Sequence, residues 1–261
     1  MALPAKPSTC HLVSDLDGTW IPAPGQTGAL RRLEAAVARI PGLVLTFATG
    51  RGFASALALL ARHVRLFPHH LVTDVGTRIH HRRPEGGWEE DAAYAAWVRA
   101  RWDPDLRARL AEEGLPWGVR FQPGVHAPCR IGLTVDDPGD LQQAAVDLQL
   151  RLVLRGLTGD VLASGRRELD ILPEGVDKGT AVEALGRTHA PGLPLVAFGD
   201  SENDLGLLRR AHWAGLLPGC GLAPGRDGLL PGRAFPAPAP GPAGILGLLE
   251  AWGLVGQGAP A

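Results

Sequence analysis

Two carboxylates separated by a single residue, Asp15 and Asp17 in the run Ser14–Trp20 (SDLDGTW), are the first groups in this 261-residue chain whose spacing could do chemistry. They follow the apolar pair Leu12-Val13, and the run breaks at once on Gly18. Carboxylates this close repel each other unless a cation or a shared proton relieves them. Side chains alternate along a strand, so Asp15 and Asp17 are expected to lean to the same side. Asp200 closes another short apolar run, Leu195 to Phe198, and Thr49 closes a third, Leu43 to Ala48. Carboxylates gathered from separate strand ends make a hard, all-oxygen set suited to Mg²⁺, which prefers such ligands and keeps several waters.

Composition singles out two further residues. Of 26 Lys plus Arg, only Lys6 and Lys178 are lysine, and Asn203 is the one asparagine. Such usage fits a bias towards GC-rich codons, under which Arg, Ala and Gly replace Lys and Asn wherever they will serve. A lysine that survives in the interior marks a place needing a compact point charge, for which the broad planar guanidinium is no substitute.

Stepping through the chain, strand-length apolar runs alternate with helix-length amphipathic ones, which predicts an α/β fold with crossover helices. Strands are expected at Leu12–Asp17, Leu43–Ala48, Leu71–Val75 and Leu195–Phe198. Helices are expected at Gly28–Ile40, Phe53–His63, Gly179–Leu185 and Gly244–Leu254. Their strand ends share the carboxyl rim of a parallel sheet, where ligand crevices form. From about residue 81 to 170 the pattern changes to a small α+β module. Its helices are expected at Asp91–Glu113 and Asp140–Leu150, and its strands at Arg130–Val135, Val161–Ser164 and Glu168–Leu172. The expected architecture is therefore a Rossmann-like parallel-sheet core, residues 1–80 and 171–261, with an inserted α+β cap domain at 81–170. The Pro/Gly/Ala-rich segment from Pro218 to Gly244 reads as a loop.

SDLDGTW, then FATGR, then Asp177-Lys178-Gly179, then FGDSEND at Phe198–Asp204 resemble, in order and spacing, the four motifs of the haloacid dehalogenase superfamily of phosphotransferases. The insert resembles the cap of its Cof-like (type IIB) branch, and VGTRIHH, ELDILPEGVDKGTAVEAL and GDSENDLGLL resemble segments of bacterial sucrose-phosphate phosphatases. The resemblance implies that Asp15 is the nucleophile and Asp17 the acid/base. It implies that Thr49, Gly50, Lys178 and Asn203 bind the phosphoryl group. Mg²⁺ would be held by Asp15, the Asp17 backbone carbonyl and Asp200, with Asp204 behind them. It implies a Mg²⁺-dependent hydrolase of a small phosphorylated sugar, acting through an aspartyl-phosphate.

Departures from the sucrose-phosphate pattern fall in the cap. Arg78 and His80 stand where Glu and Tyr are usual, and Arg130-Ile131-Gly132-Leu133 stands where Lys-Ile/Val-Ser-Tyr/Phe is usual. Sucrose 6-phosphate, a glycosyl-glycerate phosphate and a glycosyl-glycerol phosphate all stay open as substrates. So does a silent phosphosugar-binding partner of a glycosyltransferase, although the acid/base carboxylate is superfluous in a pure binder. A phosphomutase would need a route for returning phosphate, of which the sequence gives no hint.

A net charge of −1 argues against a general nucleic-acid or anionic-membrane binder. No apolar run suits a membrane span, and Cys10, Cys129 and Cys220 suit reduced thiols in a cytoplasmic protein. The pairs His69-His70 and His80-His81 lack the spacing of a ligand set and read as surface or packing residues. Trp97, at helical spacing from Tyr94 and Arg101, reads as cap core. Trp20 reads equally as packing or pocket lining.

Overall fold

The computed structural model describes residues 9–22, 25–219, 222–225, 228–229 and 232–256. The chain opens with β1 (His11–Ser14), α1 (Thr27–Val37), β2 (Val44–Ala48), α2 (Phe53–His63) and β3 (His70–Thr73), in which β1 pairs parallel with β2 and β2 with β3. β1 and β3 are buried along their whole length. That is why they read as unbroken apolar runs: a parallel sheet is covered on both faces. Leu12 points into one apolar cluster with α1, and Val13 into a second on the opposite face.

After β3 come β4 (Arg78–Arg82), β5 (Trp88–Glu90), α3 (Ala92–Arg99), α4 (Leu106–Glu113), β6 (Val119–Phe121), β7 (Ile131–Val135), α5 (Leu141–Leu154), β8 (Asp160–Ser164) and β9 (Glu168–Leu172). The chain then returns through α6 (Lys178–His189), β10 (Leu195–Gly199), α7 (Leu205–Arg210), β11 (Trp213–Leu216), β12 (Ala234–Pro236) and α8 (Gly241–Ala251). The main sheet has the order β12-β11-β10-β1-β2-β3-β4-β5, parallel from β12 to β3 and antiparallel over the last two strands. A separate antiparallel sheet, β6-β7-β9-β8, packs with α4 and α5 around a third apolar cluster. Among the described residues no helix is long and apolar enough to cross a membrane.

β1 lies between β2 and β10, so the strand order runs outward in both directions from it. Such a switch point opens a crevice at the carboxyl ends of its strands.

Four local readings change. β1 stops at Ser14, so Asp15 and Asp17 sit in the loop beyond it and strand alternation does not govern them: Asp15 is buried and Asp17 exposed. The helix expected over Asp91–Glu113 is two helices, because Pro104 disfavours helical geometry in the residue before it. The Pro/Gly/Ala-rich segment supplies β12, an edge strand, where a proline at the strand's end costs no ladder bond. The polar hairpin β4–β5 extends the main sheet, carrying strand pairing to Glu90, beyond the expected start of the insert at 81.

Candidate active site

Lys178 is the first residue of α6 and is fully buried. Its Nζ donates to Asp15 Oδ1 at 2.8 Å, Asn203 Oδ1 at 2.8 Å and Asp204 Oδ1 at 2.7 Å, using all three ammonium protons. Burial alone would push its pKa down. The charges of Asp15 and Asp204 outweigh that and hold it above the ordinary lysine value.

Its position depends on a turn elsewhere in the chain. A Cβ on Gly76 would lie 2.2 Å from the Asp177 carbonyl and 2.6 Å from the Lys178 amide nitrogen, and Gly76 has φ +102°. Asp74 and Val75 just before it also have positive φ, 52° and 59°. That conformation is costly for a β-branched residue and clusters at functional sites. The strained turn is tied to the Thr49 loop, since Asp74 N–H donates to Arg51 O and Val75 N–H to Thr49 O. Gly76→Ala is expected to destabilise the fold by about 2–4 kcal/mol, read as a lowered urea midpoint.

β10 ends at Gly199, and the next residues form the acidic corner. Asp204 is fully buried; its Oδ2 accepts from the amides of Asp200 and Ser201 at 3.0 and 3.2 Å while its Oδ1 holds Lys178. Asp200 packs against Gly18, where a Cβ would sit 2.0 Å from Asp200 Oδ2; with φ +76°, only glycine closes the two loops this tightly. One carboxylate oxygen from each of Asp15, Asp200 and Asp204 lies within 4.8 Å of the others.

Three carboxylates facing one ammonium leave two net negative charges if all are ionised. Burial, then the Asp204 charge, pushes Asp200 up to about 6. Burial also pushes Asp15 up, with Asp204 and Asp200 adding to it and Lys178 opposing. This is a donor set short of positive charge, and a divalent cation fits it. Asp15 and Asp200 have oxygens to offer. Both Asp204 oxygens are already engaged, so it lends charge and holds the loop from behind.

Thr49 follows β2 and is buried, and its Oγ1 accepts from the Arg51 amide. Asp17 lies at the mouth, gripped by Arg51 through Nε–Oδ2 at 2.7 Å and Nη2–Oδ1 at 2.8 Å. Arg51 also donates to Ser55 Oγ. Sequence reasoning passed over Arg51, although its place directly after Thr49-Gly50 was a usable signal. Both members of the pair are substantially exposed, and exposed pairs contribute only about 0–1 kcal/mol. Asp17 can leave Arg51 at small cost.

Asp15, Asp17, Thr49, Gly50, Asp200 and Asn203 all line one cavity of about 950 Å³, with Lys178 behind Asp15. The opposite wall comes from the smaller sheet. Arg130 and Asp170 form a buried ion pair there, Nε–Oδ1 2.6 Å, and Arg130 Nη1 also donates to the Gly50 carbonyl. Asn203 Nδ2 donates to Ser164 Oγ. Gln122 fills the space that a side chain at position 132 would occupy, since a Gly132 Cβ would meet Gln122 Oε1 at 2.9 Å. That amide oxygen is buried without a hydrogen-bond partner, while the residue as a whole borders the cavity. Trp20 is buried against Phe47 and does not line the cavity. Trp97 is not core: it is 37% exposed, stacked on Tyr94 and capped by Arg101.

The family model for sucrose-6F-phosphate phosphohydrolase matches residues 9–218. Glucosylglycerol-phosphate synthase from Pseudomonas anguilliseptica is 27% identical over 252 residues, 94% of this chain and 31% of that protein, so the chain spans under a third of its length. Mannosylfructose-phosphate phosphatase from Agrobacterium fabrum is 28% identical over 220 residues, covering 81% of this chain and 83% of the relative. Among solved structures, the sucrose-phosphatase of Synechocystis sp. PCC6803, in complex with sucrose and phosphate, superposes with TM-score 0.76 at 25% identity, covering 93% of this chain and 97% of the other.

Proposed function

Because the chain belongs to the sucrose-6F-phosphate phosphohydrolase family, within the haloacid dehalogenase superfamily, we propose that it hydrolyses the phosphate monoester of a phosphorylated glycoside. The observation that carries the reading is Lys178, buried behind Asp15 and bonded at once to Asp15, Asn203 and Asp204, the first two of which line a cavity large enough for a disaccharide phosphate.

Phosphoryl transfer is won by positioning and charge. Lys178 holds Asp15 by Oδ1, so its second oxygen can attack phosphorus in line with the sugar oxygen. Asp17, released from Arg51 and protonated from solvent, gives that proton to the departing alkoxide as the aspartyl–phosphorus bond forms and the phosphorus–sugar bond breaks. The Asp17 carboxylate then takes a proton from water as that water attacks phosphorus. The aspartyl–phosphorus bond breaks and inorganic phosphate leaves. Thr49 Oγ1, the Gly50 amide and Asn203 Nδ2 offer hydrogen bonds to the phosphoryl oxygens. Bound Mg²⁺ would supply a compact double charge beside those oxygens, held by Asp15, Asp200 and the Asp17 carbonyl.

The smaller sheet acts in this reading as a cap over the site. Its wall supports a polyhydroxylated group, since Gln122, Ser164 and the Arg130–Asp170 pair border the same space. The names of the relatives point to sucrose phosphate, mannosylfructose phosphate and glucosylglycerol phosphate as the compounds to try.

The test is release of inorganic phosphate from those three and from glucose 6-phosphate, with Mg²⁺ and with EDTA. At least one glycoside phosphate is expected to exceed glucose 6-phosphate by about tenfold or more in kcat/KM, since remote sugar contacts are converted into rate, and EDTA is expected to abolish turnover. Binding without release on every compound would replace the hydrolase by a phosphosugar binder.

A further inference from the structure

The rim of the main sheet opposite the catalytic loops carries a cluster of its own. His70 opens β3, His81 lies across from it in the antiparallel pairing of β4, and His189 ends α6. The Nδ1 atoms of His70 and His81 stand 2.9 Å apart. The His189 ring lies 4.7 Å from that of His70 and 4.5 Å from that of His81, centre to centre. One ring nitrogen from each of the three lies within 4.8 Å of the others. Adjacent histidine pairs in sequence do not predict this; the hairpin register and the length of α6 create it.

The surroundings are those of a metal ligand set. Asp91 Oδ2 sits 3.2 Å from His81 Nε2. A carboxylate accepting from the far nitrogen fixes the tautomer and leaves Nδ1 with its lone pair turned inward, as carboxylates do behind metal-bound histidines. Thr188 Oγ1 bonds His189 Nδ1 at 2.7 Å, which leaves Nε2 as the donor His189 can offer. His70 is buried, so its ring is held in place by the packing around it. The two Nδ1 atoms, 2.9 Å apart, share one proton, whose place a cation can take. His189 is exposed, which provides an entry path.

We propose that His70, His81 and His189 bind a divalent first-row transition ion, Zn²⁺ being the best match to three imidazoles with one position open to water. The site is chemically distinct from the aspartate cluster, whose oxygen donors favour a hard ion. Its ion would fasten the C-terminal end of α6 to the β3–β4 hairpin. Lys178 begins the same helix, about 17 Å away at 1.5 Å per residue, so the ion acts as a clasp on the helix and stays remote from the reacting phosphate.

The experiment uses the full chain, stripped with EDTA and dialysed, then titrated with Co²⁺ and followed by visible absorption, with Zn²⁺ as competitor. One equivalent of Co²⁺ with the absorption of a tetrahedral nitrogen-rich site is expected. Affinity should fall more than about 100-fold in His189→Gln and in His81→Gln, and roughly tenfold in Asp91→Asn, which keeps the cap on Tyr94 N–H. Asp200→Asn should leave the spectrum unchanged. Zn²⁺ should raise the melting temperature of the wild type and of Asp200→Asn but not of the histidine variants. His189 is exposed at a helix end, so its variant is expected to fold, checked by circular dichroism. Equal Co²⁺ binding in wild type and folded His189→Gln, or no binding in either, overturns the proposal.

Discussion

Asp15→Asn yields a folded protein whose phosphate release falls by about 10⁴-fold or more, the scale of losing a covalent nucleophile. The substitution preserves shape, and the amide oxygen still accepts from Lys178 Nζ where Oδ1 did at 2.8 Å. What is lost is the anionic oxygen that attacks phosphorus, and a neutral amide does not replace it. Folding survives because one of three crowded carboxylates, two of them buried, becomes neutral while Lys178 keeps its charged partner Asp204 at 2.7 Å. Circular dichroism and thermal melting should match the wild type while release from the best panel substrate disappears. Retention of more than about 1% of turnover would take Asp15 out of the nucleophile role, because binding and positioning alone leave far less.

Lys178→Met removes both rate and stability. The methionine fills most of the buried volume but carries no charge, so Asp15 and Asp204 lose their common cation and Asn203 Oδ1 keeps only Ser201 Oγ of its two donors. Breaking a buried ion pair from one side costs about 3–5 kcal/mol. The missing positive charge beside the transferring phosphoryl group costs roughly a further 10²–10³ in kcat. Lys178→Arg is expected to rescue little, because a planar fork does not fit a fully buried site built for three bonds to one nitrogen. Urea denaturation and steady-state kinetics separate the two losses. A Lys178→Met protein with wild-type stability would show that Asp15 and Asp204 do not depend on the ammonium.

Much of this site was legible in the chain. The alternation of apolar strands and amphipathic helices foretold the parallel sheet, because burial on both faces forces unbroken apolar runs. Lys178 stood out by scarcity, and the structure shows a position where only a compact ammonium makes its three bonds. The β4 strand, Arg-Ile-His-His-Arg, was not legible as part of the main sheet. It is an antiparallel strand next to the sheet's edge, and its polar composition hides it from any search for apolar runs.

The sequence by itself determined which groups could do chemistry and on which strand ends they would be carried, since residue type and local periodicity are properties of neighbours along the chain. Only the tertiary structure decided which groups meet. Arg51 closes on Asp17, Arg130 spans from the smaller sheet to Asp170 and the Gly50 carbonyl, and His189 arrives beside His70 and His81. Each of these contacts joins segments at least 34 residues apart in at least one of its links. Strand register, helix length and the fit of glycines such as Gly18 and Gly76 set those meetings, and none of the three is written in a local pattern.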